Sequence, residues 1–148
     1  MKNAFTMIEM IFVIVVLGIL AAIAVPKFAA TRTDAEITKG RADIASIRSA
    51  IITERQARLI VGSNSYIPIG TGTYTVNGTT YKQIDNGGLF GGLLMYPIAN
   101  SATNGHWSSS ASGTYIFKIL DSDNTFDYNA TSGRFDCTSG TYCSDLTH

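Results

Sequence analysis

The sequence predicts an α+β protein in which one long N-terminal helix carries a small antiparallel β head. Three observations lead there. Residues 10–25 contain no charged or hydroxylated side chain. Isoleucines then recur at helical spacing to about residue 61. After Gly62 the composition shifts to Gly, Ser, Thr, Asn and Tyr, with short alternating runs and turn signals. The 148 residues suffice for one domain of ordinary size. If the apolar stretch is a stem, the remaining head is small enough to favour a covalent staple. The formal net charge is zero, which argues against electrostatic nucleic-acid binding.

The opening stretch is MKNAFTMIEMIFVIVVLGILAAIAVP. As a helix, residues 5–25 span about 32 Å, which matches a hydrocarbon core of about 30 Å. Glu9 stands at the edge of this run, and an acid costs roughly 2.5–3.5 kcal/mol at a bilayer centre. A plain membrane anchor leaves Glu9 without a reason. A secretory signal cut after Ala22-Ile23-Ala24 has the small residues it needs, but Glu9 is awkward there too.

A third reading accounts for the acid. Ala4-Phe5-Thr6-Met7-Ile8-Glu9, the apolar helix and Val25-Pro26-Lys27 resemble the type IV pilin and type II secretion pseudopilin family. The resemblance implies a leader, residues 1–4, cut between Ala4 and Phe5 by a prepilin peptidase, with N-methylation of Phe5. Ala4 departs from the glycine usual before the cut. It also implies that Glu9 meets the new N-terminal amine of a neighbouring subunit during assembly. A contact within one chain, from Glu9 to its own Phe5 amine, is the alternative. A buried carboxylate is tolerable when paired, and stripping one partner typically costs about 3–5 kcal/mol. The resemblance is strong over residues 4–27, moderate to about 61 and weak in the head.

Pro26 cannot donate a helical hydrogen bond, so it predicts a kink or a melted stretch, with Gly18 a second weak point. Beyond it, Ile37, Ile44, Ile47 and Ile51 form the face expected under the head, while Ile52 and Leu59 drift to the adjacent face. Gly40 costs roughly 1 kcal/mol in a helix and allows close packing. Arg41, Arg48 and Arg55 share a stripe with Arg58 beside it. That stripe reads as a solvated face, or as a contact for acidic neighbouring heads. A helical stop is expected near Val61, at Gly62-Ser63-Asn64.

In the head, residues 73–76 and 79–82 flank Asn77-Gly78, the strongest short hairpin signal. Residues 115–120 read as the core strand, and 126–128 pair with 134–137 across the turn at 129–133. A sheet of about four strands on a helix follows, the pilin-like α+β arrangement. Residues 86–96 read as a mobile glycine-bracketed segment with room for one helical turn. Cys137 and Cys143 read as a disulfide in an exported chain, with buried free thiols as the alternative. Trp107 beside its serine run reads as a core aromatic, or as an exposed contact on an adhesive loop. Asp121, Asp123 and Asp127 are weak candidates for calcium, though an ordinary Asp/Asn turn fits them better because the glycine and glutamate of a calcium loop are missing. No other cofactor is implied. No nucleophile, phosphate loop or paired acid and base stands out, so the chain reads as a substrate of enzymes.

The expected domain order is leader 1–4, transmembrane and filament-core helix 5–26, amphipathic stem 27–61 and β head 62–148. The function implied is that of a structural subunit of a helical filament: a pseudopilin of a type II secretion or DNA-uptake machine. A type IV pilus subunit for adhesion or motility is the near alternative. A soluble secreted binding protein is the alternative of another class. The implied partners are copies of itself, minor pilins or pseudopilins, the prepilin peptidase/methylase, an inner-membrane assembly platform and the lipid bilayer. No direct nucleic-acid contact is implied. The implied location is the bacterial inner membrane, crossed once, with the head on the periplasmic side.

Overall fold

The computed structural model describes residues 5–148, with all side chains except those of Ala29 and Ala30. It shows an α+β fold: a long N-terminal helix α1, Met7–Ile60, followed by antiparallel sheets in a C-terminal head. By their contacts the residues divide into two units, Met1–Ala35 and Glu36–His148. In the first, helix α1 runs through Gly18 and Pro26 without a break, so the melted stretch expected there is not present. Proline removes one hydrogen bond, and the bonds of the flanking turns keep the helix closed.

The second unit begins within α1, and its core is built on the predicted isoleucine face. Ile44, Ile47 and Ile51 are buried and Ile37 packs beside them, while Ile52 and Leu59 are exposed. Gly40 explains how close the helix comes. A Cβ there would lie 2.6 Å from both Leu146 and Phe117, so any larger residue would push the sheet away. The helix ends in a Schellman motif. Gly62 has φ +84°, the Ser63 N–H donates to the Arg58 carbonyl at 2.9 Å, and the Gly62 N–H donates to Leu59 at 3.1 Å.

Strands β1 (Thr73–Val76) and β2 (Thr79–Lys82) pair across Asn77-Gly78 in the expected register. They form a sheet of their own. The main sheet has the order β3 (Trp107–Ala111), β4 (Thr114–Ile119), β5 (Ser122–Asn129), β6 (Arg134–Ser139), antiparallel throughout. Its fourth strand is therefore β3, which the sequence does not signal as a strand, and Trp107 is the core aromatic expected rather than an exposed contact on a loop. Serine has no strand preference, and the strand forms because Trp107 anchors it. Trp107 is fully buried against Phe117, Phe126 and Phe135, and its Nε1 donates to Asp43 on α1 at 3.0 Å. Residues 86–96 form turns rather than a helix, tied by the Gly92 N–H to the Ile84 carbonyl at 3.0 Å.

Cys137 and Cys143 are disulfide-bonded, with Cα atoms 5.6 Å apart. The bond ties β6 to the short helix α2 (Cys143–Thr147), whose Leu146 reaches the core. Replacing Cys137 with Ser should lower stability by about 2 kcal/mol, the low end for disulfides because the loop is short. Urea unfolding of oxidised wild type and variant measures this, and identical midpoints would remove the bond from the account.

Two buried phenols set an alkaline limit. Burial raises Tyr128 to about 12, against an opposing pull from Arg58, and its hydroxyl donates to the Ile67 carbonyl at 2.9 Å. Burial raises Tyr115 further, helped by Asp85, whose carboxylate accepts the Tyr115 hydroxyl at 2.8 Å. Both folded values lie above the unfolded one of about 10. The unfolded chain therefore loses these protons first as pH rises, and stability that is full below about pH 10 falls from there towards 12. A urea midpoint lower at pH about 11 than at pH about 8 is expected. Equal midpoints would contradict the burial.

Candidate assembly and processing site

The N-terminal segment is built from the helix start upward. Thr6 is the last residue before α1, and Glu9 lies in the first turn. The Glu9 N–H donates to Thr6 Oγ1 at 3.3 Å, and the Thr6 N–H donates to Glu9 Oε2 at 3.5 Å. This is a reciprocal capping box, in which each side chain satisfies a backbone donor that the helix start leaves open. A carboxylate there also complements the positive end of the helix dipole. Sequence reasoning gave Glu9 one partner, an amine, and overlooked Thr6. The signal was present as Thr6-Met7-Ile8-Glu9, the capping pattern before an apolar run.

Beyond the cap the helix presents apolar side chains that no other described residue covers. Phe5, Met7, Ile8 and Ile23 are between 65 and 84 % exposed, and every large apolar residue from Met10 to Leu20 is exposed as well. Water solvates such a surface at a cost of roughly 25 cal/mol per Å², so an apolar covering would stabilise it. This stretch of α1 is long and apolar enough to cross a membrane.

The other predicted site residues fall as follows. Ala4 lies outside the described residues, so the expected cleavage site is seen only from its Phe5 side. Phe5 is exposed just ahead of the helix. Glu9 and Pro26 bracket the apolar run without meeting. The three calcium candidates do not converge. Asp121 sits in the β4–β5 turn, Asp123 lies 3.8 Å from the Lys118 ammonium, and Asp127 accepts hydroxyls from Thr114 and Thr138 at 2.7 and 2.8 Å. Asp121 precedes β5, and Asp123 and Asp127 on the strand meet different partners. Among the described residues no cluster of metal-ligating side chains occurs.

The arginine stripe is the main correction in this unit. It is not a purely solvated face: Arg41 is exposed and Arg48 and Arg55 are half-buried, but each of the four guanidinium groups also bonds to or stacks on the head. Arg41 donates to the Asp145 carbonyl. Arg48 donates to the Phe135 carbonyl at 2.9 and 3.1 Å, with Asp136 at 3.7 Å. Arg55 lies 3.9 Å over the Tyr66 ring. Arg58 is fully buried, bonded to Glu54 at 3.1 Å and to the Tyr66 carbonyl at 2.7 Å, and stacked 4.6 Å from the Tyr74 ring centre. Sequence spacing could place these residues on one face, but not tell which carbonyls would meet them.

Residues 1–25 match the prokaryotic N-terminal methylation motif. The match supports the type IV pilin-like family and points to a structural subunit rather than an enzyme. It implies processing by a prepilin peptidase and assembly into filaments, and with the apolar helix it suggests membrane anchoring. No curated protein and no solved structure matches the chain.

Proposed function

We propose that this chain is a pseudopilin, a structural subunit of a helical filament in a type II secretion or DNA-uptake machine. One observation carries the reading: a methylation-type N-terminus opens on an apolar helix that the other described residues leave uncovered, with Glu9 at its head. Residues 1–4 are then the leader, and cleavage between Ala4 and Phe5 frees an amine that is methylated. Residues 5–26 cross the inner membrane before assembly and form the filament core afterwards. Residues 27–61 complete the stem, and residues 62–148 form a periplasmic head.

In this reading the helix serves two apolar surroundings in turn. Subunits add by head-to-tail contacts that do not close, which yields a filament rather than a ring. Glu9 pairs with the Phe5 amine of the next subunit and fixes the axial register. Within the family, the similarity of residues 25–27 and 43–50 to major secretion pseudopilins favours a secretion machine. The disulfide between Cys137 and Cys143 favours the second reading, a surface pilus, because terminal disulfide loops mark many pilins.

A strain lacking this chain separates the two. Loss of secretion with surface fibres intact is the result expected. Loss of surface fibres with secretion intact would make the chain a pilus subunit.

A further inference from the structure

The acceptor pattern for N-linked glycans, Asn-x-Thr with x other than proline, occurs twice, at Asn77-Gly78-Thr79 and at Asn129-Ala130-Thr131. Only the second has an acid two residues ahead, Asp127, which gives the acidic bacterial form of the pattern. Thr75 stands in that place in the first. The structure separates the two further. Asn77 sits at the tip of the β1–β2 hairpin with φ +48°, and its Nδ2 donates to the Val61 carbonyl at 2.7 Å. Its amide nitrogen is therefore engaged in holding the hairpin to the end of α1.

Asn129 is the last residue of β5 and is exposed. Its Oδ1 accepts the Thr131 N–H at 2.9 Å and the Ser132 N–H at 3.0 Å, an Asx turn that opens the β5–β6 connection. Those bonds turn the amide oxygen towards the backbone and leave Nδ2 on the solvent side. Among the described residues Nδ2 has no hydrogen-bond partner. Thr131 is exposed as well, and it is its N–H, not its hydroxyl, that serves the turn. A sugar on Asn129 Nδ2 would displace no contact, and the turn beneath it would stay closed.

The acid is placed differently. β5 lies between β4 and β6, the Asp127 carboxylate accepts the hydroxyls of Thr114 and Thr138, and Tyr128 is buried in the core. A transferase that reads acid and amide in one stretch of chain can reach only the amide once the head has folded. The sheet must therefore still be open when the sugar is added.

We infer that Asn129 is an N-glycosylation site, modified on the exported chain before β5 pairs with its neighbours. The donor is an oligosaccharide carried on a polyprenyl diphosphate. Asn129 Nδ2 forms the bond to C1 of the first sugar, the bond from C1 to the diphosphate oxygen breaks, and Nδ2 gives up one proton to a base of the transferase. Polyprenyl diphosphate leaves. After folding the glycan stands on an exposed turn as a bulky, solubilising group. The site rests on the export of the head in the proposed function, but not on Glu9 or on assembly.

The test expresses the full chain in bacterial cells that carry an oligosaccharyltransferase for the acidic pattern and its undecaprenyl-diphosphate oligosaccharide. Intact and peptide masses are then measured. One glycan per chain, on the peptide that contains Asn129, is expected. Thr131→Ala should abolish it, and Asn77→Gln should leave it unchanged. Asp127→Asn keeps an acceptor for the threonine hydroxyls but removes the charge, so occupancy should fall about tenfold. Folded chain in detergent micelles, given purified transferase and donor, should react at least about tenfold more slowly than a peptide of residues 125–133, because β5 must first open. A glycan on Asn77, undiminished occupancy in Thr131→Ala, or equal rates for folded chain and peptide would overturn the proposal. A bare chain whose Cys137–Cys143 disulfide has formed has been exported, and would overturn this site alone. A bare chain with both cysteines reduced would overturn the periplasmic head as well.

Discussion

Glu9→Ala is expected to abolish filament assembly while leaving membrane insertion intact. Two roles of Glu9 must be separated, because the structure shows one and the proposed function requires the other. The capping box with Thr6 is local, and loss of a cap typically costs about 0.5–2 kcal/mol. The pairing with a neighbour's amine puts opposite charges in an apolar core, where removing one partner costs about 3–5 kcal/mol. Glu9→Gln discriminates them. Glutamine keeps the capping geometry and loses the charge, so it should fail in assembly as alanine does. Thr6→Ala weakens the cap and keeps the charge, so it should assemble. Filament yield by electron microscopy reads all three. Normal filaments from Glu9→Gln would reduce Glu9 to a helix cap.

Arg58→Ala should produce the largest loss of head stability, about 3–5 kcal/mol, or a drop in Tm of more than about 10 °C for a unit of this size. Arg58 joins three elements. It ties α1 to the Tyr66 segment through the carbonyl, pairs with Glu54 one turn back, and holds the β1–β2 hairpin through Tyr74, with Tyr81 stacked behind at 5.8 Å from each other's ring centre. Truncation leaves an acid and a carbonyl without their donor and opens a cavity. Lysine would not restore it, since an ammonium lacks the planar fork that bonds two acceptors while stacking on a ring. Arg58→Lys should therefore melt nearer to the alanine variant than to wild type, followed through Trp107 fluorescence. A lysine variant as stable as wild type would show that charge alone is required.

Much of the fold was legible because its signals are local. The isoleucine spacing marked the buried face of α1, Gly62 marked its end, and Asn77-Gly78 placed a hairpin in register. What escaped depends on partners distant in sequence. β3 has a loop-like composition, and only the aromatic cluster around Trp107 makes it a strand. The arginines looked like surface charge because their acceptors are mostly backbone carbonyls, which carry no mark in the sequence. At the N-terminus the Thr6–Glu9 cap is a local signal too, carried by the pattern Thr6-Met7-Ile8-Glu9 before the apolar run.

The central claim is that the first residues are an address to be removed and that the cut creates the charge Glu9 meets. Mass spectrometry of the mature chain tests it most directly. The account predicts a protein that begins at N-methylated Phe5. A mature chain beginning at Val25 would contradict it, since that cut discards both Glu9 and the helix that the filament requires.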